Sequence, residues 1–333
     1  MVRLGINGFG RIGRQVFRQA LKRPDFEVVA VNDVATPATL VHLLNFDSIF
    51  GKLKPRAILT EDNHIKIGDK REVKVFSGKA PGEIPWGDTG VDVVIESTGI
   101  FRNYLKASPH LKTGARKVII SAPADDDLPT VCIGINQNIL KGTDLVVSNA
   151  SCTTNSAAPL IDILDKYLGI DRAFVTTVHS YTSDQRLHDA PHSDLRRARG
   201  ATQSIIPTTT GAAKALYKIF PHLNGRLGGS GVRVPVANGS FTDLTCIVNT
   251  NATPEEINRI FKEAATTKYQ GILEYSDDPI VSADIIGNLH SSIFDAGLTT
   301  VVGSMIKVVG WYDNEAGYSA RLLDLSKYLM IID

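Results

Sequence analysis

Cysteine is scarce in this chain: Cys132, Cys152 and Cys246 are the only three in 333 residues. Three thiols are too few for a disulfide framework and match no metal-ligand spacing, and such sparing use fits a reducing cytoplasm. Net charge is almost absent too. At +1 it gives no electrostatic basis for holding nucleic acid or an anionic membrane surface. No apolar run is long enough to span a bilayer, and the N-terminus leads into a strand-like segment rather than a secretion signal. Low-complexity tracts and internal repeats are also missing. What is present, 43% hydrophobic and 21% charged residues, describes a globular chain with ample core and length for two domains.

The stretch Ser148 to Ser156, SNASCTTNS, follows a short apolar run and precedes an apolar-periodic segment, Ala157 to Leu168. That order predicts strand, tight turn and helix, with Cys152 in the first helical turn. Unpaired N–H groups and the positive end of the helix dipole gather there. A thiol so placed is expected to ionise at about pH 3.5–7.5 instead of ~8.5, making it a nucleophile. Position alone also allows a small buried hydrophobe beside a helix cap.

At the other end of the first half, Val2 to Ile6 runs into Gly8, Gly10 and Gly13 in G-x-G-x-x-G spacing. An amphipathic segment, Ile12 to Lys22, a second strand-like run, Glu27 to Val31, and then Asp33 follow. Strand, glycines, helix, strand and acid in that order form a dinucleotide-binding fingerprint. The acid favours a bare ribose, hence NAD over NADP. Val91 to Glu96, Lys117 to Ser121, Val131 to Ile135 and Leu145 to Ser148 are expected as further strands of a Rossmann-type, doubly wound parallel sheet in an α/β protein. Asn45 to Pro85 fits as an antiparallel excursion. Ligands of such sheets bind at the strand carboxyl ends, so the glycine loop, Asp33, Ser97, Ser121 and Cys152 are expected on one rim.

Beyond the helix after Cys152, a strand from Ala173 to Val178 ends at His179, a candidate base for the thiol, though spacing does not single it out among eight histidines. Ser180 to Gly200 reads as a long polar loop, suited to function or assembly. Thr208 to Thr210 and Gly211 precede a helix and offer N–H groups to an anion. From Val232 onward, alternation in Phe241 to Asn249 and Val301 to Tyr312 predicts a mostly antiparallel sheet, completing an α+β second domain. Helices are expected over Pro254 to Tyr269, capped by Thr253 with Glu256, and over Ala316 to Leu329.

INGFGRIGR at Ile6, SNASCTTN at Ser148, TTVHSYTSDQ at Thr176 and DLRRARGATQSIIPTTTGAAKA at Asp194 carry a family resemblance, with HSSIFDA at His290 and WYDNEAGYSAR at Trp311. Across essentially its whole length the chain resembles phosphorylating glyceraldehyde-3-phosphate dehydrogenases. The resemblance implies an NAD-binding domain over 1–150, with a C-terminal helix over 316–333 returning to it, and a catalytic domain over 151–315. It implies that Cys152 is the nucleophile and His179 its base. Thr182, Asp184 and Arg233 would attend the C3 phosphate of the substrate. Ser151, Thr153, Arg197, Thr210 and Gly211 would bind the attacking inorganic phosphate. Gly8, Gly10, Arg11, Ile12, Gly13, Asp33 and Ser121 would hold NAD, with Asn314 fixing the nicotinamide. No metal is implied, and the family assembles as a homotetramer.

Four features depart from the family pattern: Ser156 in place of a second cysteine, Ala316 in place of a tryptophan, Lys79 where arginine is common, and the glycine-rich Gly228 to Gly231, read as a looser approach to the phosphate sites. Erythrose-4-phosphate dehydrogenase is the nearest alternative, disfavoured by Thr210 and Gly211. A cysteine–histidine hydrolase would have no use for the dinucleotide fingerprint, and a silent NAD sensor none for Cys152 with His179.

Overall fold

Residues 1–68 and 71–333 are described by the computed structural model, and fall into two units. Met1–Val131, Gln137–Ala150 and Ser319–Asp333 form the first; Cys132–Asn136 and Ser151–Tyr318 form the second.

The first unit holds β1 (Val2–Asn7), β2 (Phe26–Asn32), β3 (Phe46–Asp47), β4 (Gly51–Lys52), β5 (Ala57–Leu59), β6 (His64–Ile67), β7 (Arg71–Phe76), β8 (Val93–Glu96), β9 (Lys117–Ile120) and β10 (Val146–Ser148). Eight of them make one sheet in the order β10-β9-β8-β1-β2-β7-β6-β5. Neighbours from β10 to β7 are parallel, which is the doubly wound order. β6 and β5 add an antiparallel edge, the fate of the excursion after Asn45. The first crossover helix, α1 (Arg11–Ala20), buries Val16, Phe17 and Ala20, while α2 (Pro37–Asn45) starts where the Thr36 hydroxyl accepts from Thr39 N. Two single-turn helices, α3 (Tyr104–Ala107) and α4 (Pro109–Lys112), follow β8. Strand order reverses between β1 and β8, chain connections running outwards to either side, so the carboxyl ends of these two strands open a crevice.

The expected strand over Val131 to Ile135 does not form. Cys132 N donates to the Asn136 side chain at 2.9 Å, and Ile135 N and Asn136 N both turn back to Cys132 O. Only Thr130 bridges to Ser148. Local Asn capture of the backbone outcompetes the ladder.

In the second unit α5 (Cys152–Leu168) is followed by β11 (Ile170–Ser180), β12 (Ile206–Thr208), α6 (Ala212–Ile219), β13 (Leu227–Val234), β14 (Ser240–Val248), α7 (Pro254–Thr266), β15 (Leu273–Ser276), β16 (Ser292–Asp295), β17 (Thr300–Val302) and β18 (Met305–Tyr312). The main sheet runs β12-β13-β11-β14-β18-β16-β15 and is mixed but mostly antiparallel, with β11/β13 and β15/β16 the parallel pairs. The run from Val301 is two strands, parted by a turn at Gly303 with φ 60°. α5 buries Leu160, Ile161, Ile163 and Leu164 and packs on β14, β16 and β18. Thr253 and Glu256 form the expected capping box of α7.

Gly228 to Gly231 is a correction. It lies within β13, paired to β11 on one side and, at Gly231, to β12 on the other, and is not a looser loop. A Cβ at Gly228 would stand 2.6 Å from the Phe174 ring, so the bulk missing from the glycine is supplied across the strand pair.

The chain closes with α8 (Ala316–Ile331). Within the first unit its far end is held by Asp324 to Arg23 at 2.8 Å and Asp333 to Lys117 at 3.1 Å. No helix among the described residues is long and apolar enough to cross a membrane.

Gly13 sits where α1 meets the first loop, and a Cβ there would lie 2.2 Å from Gly8 O. Gly13→Ala is therefore expected to cost about 1–3 kcal/mol by overpacking. Thermal unfolding checks this; a midpoint unchanged from the parent would refute the tight contact.

Candidate active site

At the crevice of the first unit the three fingerprint glycines differ in what surrounds them. Gly8 has φ +89°, and a Cβ on it would strike Thr98 N at 2.7 Å. Gly13 permits the close approach of α1 to the strand end. Gly10 has nothing within 4 Å of its Cβ position, and no side chain caps α1 there. An open cradle at an uncapped helix start fits a pyrophosphate. Asp33 Oδ2 accepts from Phe9 N at 2.8 Å and Oδ1 from Ala35 N at 3.0 Å, so the acid also braces the glycine loop. Arg11 pairs with Asp47 at 2.7 Å, Ile12 follows half-buried, and Ser121 N donates to Glu96 O at 2.9 Å at the end of β9.

Sequence reasoning missed what lies beneath. Asn7 donates to Glu96 at 2.5 Å, accepts from Asn32 at 2.8 Å, and Asn32 accepts from Gly78 N at 2.8 Å. His110 Nε2 lies 3.0 Å from Glu96, and its Nδ1 accepts from Trp86 at 2.9 Å. This buried network ties together the ends of β1, β2 and β8. No motif spacing marks it, because its members lie in separate strands.

In the second unit α5 begins at Cys152, half-buried, with Ser151 as its cap: the Ser151 hydroxyl accepts from Thr154 N at 3.1 Å. The residue before the cap, Ala150, takes φ 54°, a left-handed conformation that makes the turn tight. Cys152 Sγ lies 3.4 Å from His179 Nε2. On the far side of the ring, Nδ1 stands 2.7 Å from Ser180 O and 2.5 Å from Arg233 Nη1. His179 is carried by β11 and Arg233 by β13, and the two residues are paired in the parallel register. The Tyr312 ring stands edge-on to His179, its hydroxyl shared between Thr153 at 2.9 Å and Thr177 at 2.8 Å.

Burial runs against the low thiol pKa expected of the helix start. Burial pushes the Cys152 thiol up, and the Arg233 charge and the local N–H groups only partly oppose it. Burial, then the Arg233 charge, push His179 down to about 3. Desolvation thus opposes charge on both members of the pair, against the helix terminus. Cys132 is also pushed up by burial, and Cys246 up to about 12.

The expected anion residues are partly engaged elsewhere. Arg197 contacts the Asp184 carboxylate, and its Nε donates to Thr208 at 3.0 Å. Thr182 lies in a turn where Gln185 N donates to its carbonyl at 3.0 Å. The Thr210 hydroxyl accepts from Ala212 N at 3.2 Å, and Gly211 begins α6 without a side-chain cap. The Arg197 charge nonetheless reaches both His179 and Arg233.

Two family profiles match the chain. The glyceraldehyde 3-phosphate dehydrogenase NAD binding domain matches residues 2–104, and the C-terminal domain of the same enzyme matches 151–314. The chain is 53% identical over 329 residues to glyceraldehyde-3-phosphate dehydrogenase of Mycobacterium avium, covering 97% of each. It is 50% identical over 331 residues to glyceraldehyde-3-phosphate dehydrogenase 2 of Streptomyces avermitilis, covering 98% of each. The chain belongs to the glyceraldehyde-3-phosphate dehydrogenase family.

NAD is the cofactor of this family's N-terminal domain. The contacts of three residues already named from the sequence were not foreseen. Asn314 Oδ1 accepts from Ser180 Oγ at 2.9 Å, Ser240 Oγ at 2.9 Å and Gly239 N at 3.2 Å, which fixes the amide with its NH₂ as the remaining donor. Ser156 is fully buried and accepts from Thr242 at 3.0 Å, so the hydroxyl that replaces a family cysteine is bound into the core. Ala316 is buried, its N–H donating to Asp313 at 2.8 Å. Nothing in the structure explains Lys79.

Two outcomes are expected of the thiols. Iodoacetamide should modify Cys152 before Cys132 or Cys246, which mass mapping of peptides resolves. In the protein without ligands, the pH profile of that alkylation should lie alkaline of an ordinary thiol; a midpoint below neutrality would contradict the raised pKa.

Proposed function

We propose that this enzyme oxidises D-glyceraldehyde 3-phosphate with NAD and inorganic phosphate, giving 1,3-bisphosphoglycerate through a thioester on Cys152. The observation that carries the reading is the 3.4 Å approach of Cys152 Sγ to His179 Nε2 at the start of α5. The thiol adds to the aldehyde carbon as its proton passes to His179 Nε2. The oxygen of the adduct, held by the Cys152 N–H, takes that proton from His179 to become the hydroxyl. Bound NAD supplies the hydride acceptor that makes the adduct a thioester. His179 takes the hydroxyl proton in that step and returns one to the leaving sulfur when phosphate attacks.

The residues divide in this reading as follows. Gly8, Gly10, Arg11, Ile12, Gly13, Asp33 and Ser121 hold the dinucleotide, and Asn314, oriented by Ser180 and Ser240, donates to the nicotinamide amide. Thr182, Asp184 and Arg233 attend the C3 phosphate. Ser151, Thr153, Arg197, Thr210 and Gly211 serve the attacking phosphate, Ser151 also capping α5. Residues 1–150 with the helix over 316–333 are the NAD-binding domain, and 151–315 the catalytic one. The enzyme works in the cytoplasm as a homotetramer, a state favoured by the exposure of Leu187, Leu195 and Ile205 in and beside the long loop.

Steady NADH formation from glyceraldehyde 3-phosphate should require phosphate, with arsenate able to replace it; without either, about one NADH per site should form in a burst. Full turnover in phosphate-free buffer, or a faster rate with erythrose 4-phosphate, would overturn the assignment. His179→Asn should slow the hydride step by roughly 10²–10⁴, read by single-turnover absorbance; an unchanged step removes His179 from the chemistry. Exchanging NAD for NADP should lower kcat/KM, and Asp33→Ala should narrow that gap.

A further inference from the structure

The buried network under the crevice of the first unit has a fixed donor sense, which follows from its two ends. The Trp86 indole N–H can only donate, and it reaches His110 Nδ1 at 2.9 Å. That nitrogen presents its lone pair, so the ring proton lies on Nε2 and points to Glu96 Oε2 at 3.0 Å. From the other end the Gly78 N–H donates to Asn32 Oδ1 at 2.8 Å. The Asn32 amide nitrogen then donates to Asn7 Oδ1 at 2.8 Å, and the Asn7 amide nitrogen to Glu96 Oε2 at 2.5 Å. Two donor chains thus converge on one oxygen. A carboxylate satisfies both, because it accepts from either side.

The second carboxylate oxygen serves the crevice. Glu96 Oε1 accepts from Thr98 N at 2.9 Å and from Thr98 Oγ1 at 2.5 Å. The Thr98 hydroxyl accepts in turn from Ile100 N at 3.1 Å. Thr98 N is the atom that a Cβ on Gly8 would strike, and Ser97 Oγ donates to Gly8 O at 2.7 Å. The loop after β8 and the first glycine turn are therefore one connected piece, ending in the exposed Gly99 and Ile100. Glu96 itself is 1% exposed and too deep to meet a ligand.

We infer that Glu96 is a positioning residue for NAD: anchored from below by His110 and Asn7, it holds Thr98 so that the loop Ser97 to Ile100 and the Gly8 turn are set before the dinucleotide arrives. Order established in advance appears as affinity, because binding then need not fix the loop. The donor sense makes the role specific to the acid and not to its bulk. Glutamine at this position keeps the shape but turns an amide NH₂ either to Thr98 or to the two converging donors. In the second case His110 yields only by moving its proton to Nδ1, where it meets the Trp86 N–H.

Calorimetric binding of NAD to the intact enzyme, with no aldehyde present, tests this apart from the aldehyde chemistry. Glu96→Gln should raise the dissociation constant about tenfold, the effect of one buried polar group left unpaired. In turnover the loss should fall on KM for NAD and not on kcat, since Cys152 and His179 belong to the second unit. Adding Trp86→Phe to Glu96→Gln should recover part of the affinity, because His110 is then free to carry its proton on Nδ1. A merely structural role predicts the reverse, two core changes that add their losses. An unchanged dissociation constant in Glu96→Gln overturns the inference. So does a double variant that binds NAD more weakly than Glu96→Gln alone, or a loss confined to kcat. If Glu96→Gln fails to fold, Thr98→Val, at the half-buried end of the same contacts, takes its place. Weaker NAD binding is expected there too, and the parent's affinity would overturn the inference.

Discussion

The hydrogen bond between His179 Nδ1 and the Ser180 carbonyl is the contact on which the second unit's chemistry turns. It fixes the ring plane, and when Nδ1 donates, it leaves the Nε2 lone pair facing Cys152. Ser180 is well placed to be the anchor because each of its polar groups is used. Its N–H donates to Ser240 Oγ at 3.1 Å, its hydroxyl to Asn314, and its carbonyl receives the histidine. One residue at the end of β11 thus links the base to the amide proposed to hold the nicotinamide. A shift of that strand end would disturb both.

Burial sets the cost of this arrangement. An imidazolium or a thiolate in a nearly closed site loses its hydration, and the N–H groups of one helix terminus do not replace it. Ordinary helix-terminus reasoning overlooks this, because it treats the thiol as solvated. The raised thiol and the depressed histidine share that one physical cause.

Much of this was legible in the chain. The strand–glycine–helix–strand–acid order located the crevice, and alternation after Phe241 located the second sheet, because periodicity reflects which faces are buried. SNASCTTNS placed Cys152 in the first turn of its helix. Less legible were features made by long-range pairing. The Asn7–Glu96–His110 network, the Tyr312 hydroxyl between Thr153 and Thr177, and the Ser180–Ser240 hold on Asn314 each join distant strands. The failure at Val131 to Ile135 has another origin: Asn136 offers a local acceptor that an apolar pattern does not register. Gly228 to Gly231 misled for a similar reason, since only the Phe174 ring across the sheet explains it.

The most direct measurement is to trap the covalent intermediate. Enzyme, NAD and glyceraldehyde 3-phosphate are mixed without inorganic phosphate, quenched in acid, and the peptides weighed. The account predicts a phosphoglyceroyl thioester on the peptide containing Cys152, lost when phosphate is added before the quench. No adduct, an adduct on Cys132 or Cys246, or one that persists after phosphate is added would contradict it.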